Sequence, residues 1–190
     1  MPEQTTLPLA ESGKTPWDRL FAADLRAVHL ICCSAQPRIG RAAAIAISKL
    51  GNGWIYPIMG FTIFAFLGRE SLRLILIGGL NAGLLHLLYP HIKRRIGRPR
   101  PFQADPRLHS LMTVLDEHSF PSGHMMTLSG VLVPVVLVWP AAALSAAALL
   151  LATAWSRVAT AHHYPTDVLA GTLIGITLAC PISAGFLAVW

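Results

Sequence analysis

A chain of 190 residues fits one domain, but 54% hydrophobic residues, 13% charged residues and a mean hydropathy of +0.55 exclude an ordinary soluble fold. The bilayer is the expected solvent. The net charge of +6 and a pI near 9.8 raise nucleic acid as a partner, yet six of the fifteen Lys/Arg fall between Lys93 and Arg107 with no basic helix or aromatic-interleaved patch, so none is expected.

Residues 1–16 are polar and carry Pro2, Pro8 and Pro16, and no cleavable signal is read there. From Trp17 to Ser34, Leu20, Phe21, Leu25, Val28, Leu30 and Ile31 alternate with Asp18, Arg19, Asp24 and Arg26, the pattern of an amphipathic helix lying at the membrane interface. Cys32 and Cys33, with the distant Cys180, offer no zinc spacing and read as small apolar residues. Ala42 to Leu50 is a short apolar helix, with Gly51-Asn52-Gly53 as its stop signal. Residues 1–50 thus form an N-terminal unit able to supply one extra span, and 51–190 form the membrane core.

In that core, Trp54–Leu67 and Leu72–Ile92 are apolar runs compatible with spanning helices of ~20 residues once their flanks are included. Residues 93–122 are polar, basic and interrupted by Pro99, Pro101, Pro106 and Pro121, so they form a loop. Met125–Trp139 and Ala141–Trp155 follow on either side of Pro140, and Val168–Trp190 is the last apolar stretch. The fold class expected is an all-α, polytopic transmembrane helix bundle of five to six spans with an interfacial N-terminal helix.

Three short runs carry chemistry: Lys93-x6-Arg100-Pro101, Pro121-Ser122-Gly123-His124 and Ser156-Arg157-x5-His163-x3-Asp167. Counting helix directions from the 72–92 run brings all three to one membrane face, as a shared site requires. Lys93, Arg100 and Arg157 supply positive charge for a phosphate, the Ser122 hydroxyl and Gly123 amide supply donors, and His163 and His124 supply a nucleophile and a proton donor.

Each feature also has a plainer reading. Lys93, Arg94, Arg95, Arg98 and Arg100 could be a positive-inside anchor, but two prolines stiffen the backbone around Arg100 and fix its guanidinium. Ser122 reads as an N-cap, a role compatible with anion binding at a helix N-terminus. His163 differs from His29, His86, His91, His109 and His118, all read as structural, because Asp167 lies four residues on and could accept from one ring nitrogen. Asp105, Asp116 and Glu117 show no hard-ion spacing and are assigned to a solvated loop. Gly130, Gly171 and Gly175 read as close-packing positions.

The ordered set resembles the three signature motifs of the type-2 phosphatidic-acid phosphatase superfamily, over about Gly53 to the C-terminus. The resemblance implies that Lys93, Arg100, Ser122, Gly123 and Arg157 hold phosphate and that His163 forms a phosphohistidine. Asp167 would orient His163, and His124 would protonate the leaving oxygen and then activate water. No metal and no cofactor are implied.

The loop from Phe102 to Pro121 leaves no room for a large soluble cap, favouring a lipid phosphate or diphosphate of the phospholipid or polyprenyl class. A site facing the periplasm from a bacterial inner membrane is expected from the resemblance. Transfer of phosphate to another alcohol is the alternative enzymatic reading. A non-catalytic lipid-binding or transport protein would be expected to lack at least one of His124, His163 and Asp167.

Overall fold

The computed structural model describes residues 15–114 and 116–189; the polar stretch assigned to the N-terminal unit before residue 15 lies outside them. The first helix, α1 (Pro16–Ser34), begins with a capping box. Thr15 Oγ1 accepts from the Asp18 amide at 3.2 Å, and the Asp18 carboxylate accepts from the Thr15 amide at 3.2 Å. Its inner side buries Asp24 and Val28 against the C-terminal half of the protein, while Trp17, Leu20 and Leu30 face outward.

α2 (Arg38–Lys49) packs on the later helix α7 (Ala143–Ala159). The expected stop at Gly51-Asn52-Gly53 is instead a kink: the helix widens into a π-turn over Leu50–Trp54 and continues as α3 (Ile55–Leu67). Gly53 makes this possible, since its φ of +131° is open to a residue without Cβ. After a 3₁₀ turn at Gly68–Glu70 the chain packs back on α3 as α4 (Ser71–Ile96), whose 26 residues extend about 39 Å. Gly97, at φ +63°, ends α4 just beyond Lys93, Arg94 and Arg95.

The proline-rich segment contains only the single turn α5 (Pro101–Ala104) before α6 (Gly123–Val138). Trp139 and a 3₁₀ turn at Pro140–Ala142 lead into α7, and α8 (Pro165–Val189) closes the bundle. The protein is an all-α membrane bundle. Among the described residues, the helical run from Arg38 to Ala104, Pro140–Ala159 and Pro165–Val189 are long and apolar enough to cross a bilayer, whereas α6 is apolar but shorter.

Polarity is distributed for lipid rather than water. Phe61, Leu87, Leu144 and Leu151 are exposed, whereas Asn81, Ser129, Thr153 and Ser183 are buried. Asn81 Nδ2 donates to Gly130 O at 3.1 Å and to Ser183 Oγ at 3.0 Å, joining α4, α6 and α8. The close-packing glycines lie at this junction. A Cβ on Gly171 would stand 2.5 Å from Ser122 O, and one on Gly175 would collide with Met126 O and Ser129 Oγ. Backbone contact of this kind fixes the spacing of α6 and α8.

Candidate active site

The ends of α4, α6 and α7, the loop before α8 and the α2–α3 kink meet around a cavity of about 200 Å³. Lys93, Arg100, Arg157, Gly123, His124 and His163 all line it. Six of the eight residues singled out by the motifs therefore share one cavity, despite being spread over 71 positions from Lys93 to His163.

Its cations are buried, and each is held by a different local device. Lys93, in the last turn of α4, donates from Nζ to Asp116 Oδ1 at 2.9 Å, Asp116 Oδ2 at 3.0 Å and His118 O at 2.9 Å. Arg100 is fixed by its position before α5. Its Nη2 donates to Asp116 Oδ1 at 2.7 Å, its Nε to Asp116 O at 3.1 Å and its Nη1 to His162 O at 2.7 Å. Arg157, near the end of α7, donates from Nη1 to Ser48 Oγ, while its buried Nε has no hydrogen-bond partner among the described residues.

Asp116 thus corrects the solvated-loop assignment. Its carboxylate bridges Lys93 and Arg100, which both donate to Oδ1. Burial raises the Asp116 carboxyl, but the Lys93 hydrogen bond and the charges of Lys93 and Arg100 outweigh it and hold the group below the usual range. Asp105 is also no free loop acid: it is buried and binds Arg107 at 2.7 Å and His29 at 2.9 Å. Glu117 is exposed, as expected.

Gly123 opens α6, where the first amides lack intrahelical partners and the dipole favours an anion. A Cβ there would lie 3.3 Å from the Tyr89 ring. Ser122 differs from its expected role in two respects. Its side chain makes no capping hydrogen bond, and it lies behind the cavity lining with Oγ buried and unpartnered among the described residues. Its amide instead donates to Asp167 O at 3.0 Å, tying α6 to α8.

His163 is set by a tight turn after α7. The Arg157 carbonyl accepts the amides of both His162 and His163 at 3.2 Å, with Ala161 in the left-handed region at φ +58°. The His163 Nδ1 lies 2.7 Å from Ser119 O, so it must donate, and Nε2 retains the lone pair. The expected hydrogen bond from His163 to Asp167 is not made, because Asp167 Oδ2 is 3.7 Å away and accepts from the Tyr164 amide at 2.9 Å. Burial first, and then the charges of Arg157, Arg100 and Lys93, hold the His163 imidazole well below its usual pKa. Its neighbour His162 is lowered to about 3, chiefly by burial and Arg157, and its Nε2 pairs with Ser110 Oγ at 2.8 Å.

Arg98, read only as part of the basic cluster, proves to organise this region. Its Nη1 donates to Asp167 Oδ1 at 2.6 Å and Thr166 Oγ1 at 2.7 Å, and its Nη2 to Asp24 Oδ2 at 2.7 Å. The guanidinium stacks 3.8 Å from the Tyr164 ring centroid. Its carbonyl accepts the Ser119 amide at 2.8 Å, so one residue anchors both Asp167 and the acceptor of His163. No spacing signalled this, since Asp24 and Arg98 are 74 positions apart.

A helical membrane bundle with a cationic, histidine-bearing cavity at its helix ends is the architecture of a membrane phosphatase. The chain belongs to the PAP2 superfamily, whose family model matches residues 71–189. It is 30% identical over 157 residues to decaprenylphosphoryl-5-phosphoribose phosphatase from Mycobacterium tuberculosis H37Rv, covering 75% of this chain and 78% of that protein. The lipid A 1-phosphatase of Rhizobium etli is 30% identical over 115 residues, 58% of this chain and 47% of that protein. Among solved structures, the transmembrane PAP2-type phosphatidylglycerolphosphate phosphatase from Bacillus subtilis superposes with a TM-score of 0.67 at 24% identity, covering 93% of this chain and 90% of that one. Aquifex aeolicus LpxE gives 0.63 at 24% identity, covering 88% and 96%. The expected family and the all-α membrane fold stand, and with its relatives the chain is a hydrolase of the lipid phosphatase class.

Two outcomes follow from the electrostatics. Asp116→Asn removes the carboxylate that competes for Lys93 and Arg100, so inhibition by inorganic phosphate or vanadate should tighten several-fold in a competition assay. The depressed pKa keeps the His163 imidazole neutral into mild acid, so for an enzyme that attacks through this ring the acidic limb of kcat/KM should lie below pH ~6.5. A phosphate bound among the three cations would offset their charge and raise that pKa, so the acidic limb of kcat should lie at higher pH than that of kcat/KM.

Proposed function

We propose that the protein removes phosphate from a membrane lipid or polyprenyl phosphate or diphosphate through a phosphohistidine on His163, without a metal ion. The observation carrying this reading is the Nδ1–H of His163 held on the Ser119 carbonyl, which leaves the Nε2 lone pair for a cavity bounded by three buried cations. The substrate phosphate displaces the Asp116 carboxylate from Lys93 and Arg100 and engages the free edge of Arg157. The amides at the start of α6 add donors to the phosphoryl oxygens.

His163 Nε2 then forms a bond to phosphorus while the bond to the leaving oxygen breaks, and that oxygen takes a proton from His124. In the second half-reaction His124 removes a proton from water as it attacks phosphorus, and the P–N bond electrons return to His163. Arg98 and Asp167 hold the turn that carries the nucleophile. The charge that builds on the phosphoryl group is met by Lys93, Arg100 and Arg157, a task divalent metals perform at many other phosphoryl-transfer sites.

A lipid substrate is supported by a second cavity of about 170 Å³ between α3, α4 and α6. It is lined by Met59, Ile63, Leu74, Gly79 and Val131 among others, and it meets the polar cavity at Tyr56, common to both linings. An apolar chain there would lie continuous with a phosphate at Lys93. The relatives named for polyprenyl-linked and lipid A substrates support the same class. The cationic cavity is assigned to the periplasmic face of a bacterial inner membrane.

His163→Ala should abolish phosphate release while the purified protein keeps its elution profile and thermal transition. Acid-labile, base-stable phosphoprotein should be trapped by rapid quench from the parent in EDTA and be absent from the variant. Release above a few per cent of the parent rate, or loss on chelation that magnesium restores, would overturn the mechanism. Gly79→Leu probes the apolar cavity, because nothing lies within 4 Å of a Cβ at Gly79 and the new side chain enters the groove without a backbone clash. KM for a long-chain lipid phosphate should rise several-fold, with p-nitrophenyl phosphate turnover unchanged.

A further inference from the structure

The kink at Leu50–Trp54 lies outside the region matched by the family model, and a helix stop does not account for its residues. Two of the three central positions meet His124, and the third turns the chain. Gly51 lets the imidazole lie against the backbone, since a Cβ there would stand 3.1 Å from His124 Cδ2. Gly53 takes the positive φ that turns the chain. Asn52, between them, lines the cavity and places its Oδ1 2.7 Å from His124 Nε2.

The same segment also reaches the phosphate side. One turn before the kink, Ser48 accepts from Arg157, and further back Ala44 O accepts from Ser156 Oγ at 2.7 Å. α2 and its kink therefore form a wall that touches both the phosphate-binding arginine and the proposed proton donor.

We infer that Asn52 is a positioning residue for His124, its carboxamide oxygen holding the Nε2–H so that the imidazole stands oriented to protonate the leaving oxygen. This rests on the general-acid reading of His124 given above. A carboxamide oxygen can only accept, so it selects ring states with a proton on Nε2 and fixes the ring plane. When the P–O bond breaks, its electron pair stays on the leaving oxygen, which takes the Nδ1 proton of the His124 imidazolium and leaves the ring neutral with its Nε2–H still on Asn52. Without the amide the ring is free to rotate about its side-chain bonds, and the proton is delivered less often.

Leaving-group chemistry separates positioning from mere support of the fold. An alkyl lipid phosphate has a leaving alkoxide that needs a proton, whereas p-nitrophenolate leaves unprotonated. The measurement is the rapid-quench rate of phosphoenzyme formation from both substrates in the parent, Asn52→Ala, Asn52→Asp and His124→Ala. Asn52 is exposed, so its variants should keep the parent's elution profile and thermal transition. Asn52→Ala should slow formation from the lipid phosphate on the order of tenfold at unchanged KM, and formation from p-nitrophenyl phosphate by less than about twofold. Asn52→Asp retains an acceptor oxygen and should restore most of the lipid rate. Equal losses on both substrates in Asn52→Ala, a change confined to KM, or no rescue by Asn52→Asp would overturn the role given to Asn52. His124→Ala shows which claim has failed. Substrate-dependent loss there with none in Asn52→Ala rejects Asn52 alone, whereas equal loss on both substrates in His124→Ala rejects the acid reading and this inference with it.

Discussion

Three positive side chains buried at one end of an apolar bundle are the constraint around which this protein is built. Lys93, Arg100 and Arg157 repel one another, and burial strips away the water that would screen them. The fold answers with oxygen. Asp116, the carbonyls of His118 and His162, and the Ser48 hydroxyl all turn toward the cations, and this demand draws the segment between α5 and α6 onto the site. Arg157 Nε is left without such an answer among the described residues. A tetrahedral dianion is the ligand whose charge and number of oxygens suit this surplus.

The turn that carries His163 is held from outside the family's matched region. Asp24 on α1 secures the Arg98 guanidinium and also accepts from the Thr166 amide at 3.2 Å, at the start of α8. Arg98 passes that constraint to Asp167 through its side chain and to Ser119 through its backbone. The amphipathic helix α1 thus acts as a brace for the histidine turn. The Arg98 guanidinium lies 3.8 Å from the Tyr164 ring centroid and 5.8 Å from that of Phe21, two rings that are themselves in contact at 5.6 Å, which completes the brace.

Much of this was legible in the order of residues. The apolar runs and prolines located the helices of the core and the long loop, and the helix count brought Lys93, Arg100, Gly123, His124, Arg157 and His163 to one end, where they share a cavity. Contacts that depend on backbone oxygens were not legible. Ser119 binds His163 through its carbonyl, a group every residue possesses, so no residue type marks it, and an aspartate four positions on seemed the better partner. Asp116 and Asn52 were hidden for a different reason. Their partners are 23 and 72 positions away and are reached only after the loop and the kink have folded, whereas side-chain spacing reports neighbours on one helix. The kink itself was read as an ending because Gly-Asn-Gly breaks an α-helix equally well whether the chain leaves or continues at a new angle.

The glycine contacts between α6 and α8 bear on how such an enzyme tolerates its solvent. Those two helices bound opposite sides of the cavity, Gly123 and His124 on one and the His163 turn leading into the other, and their backbones touch at Gly171 and Gly175. A seam of this kind leaves no room for lipid, so the pair should respond to stretching or thinning of the bilayer as one body and keep His163 and His124 at a fixed distance. The α3–α4 side is more open, with an apolar cavity between its helices and glycines that meet little. Changes in acyl-chain length or membrane tension should therefore be felt first between α3 and α4, and least at the seam that separates His124 from His163.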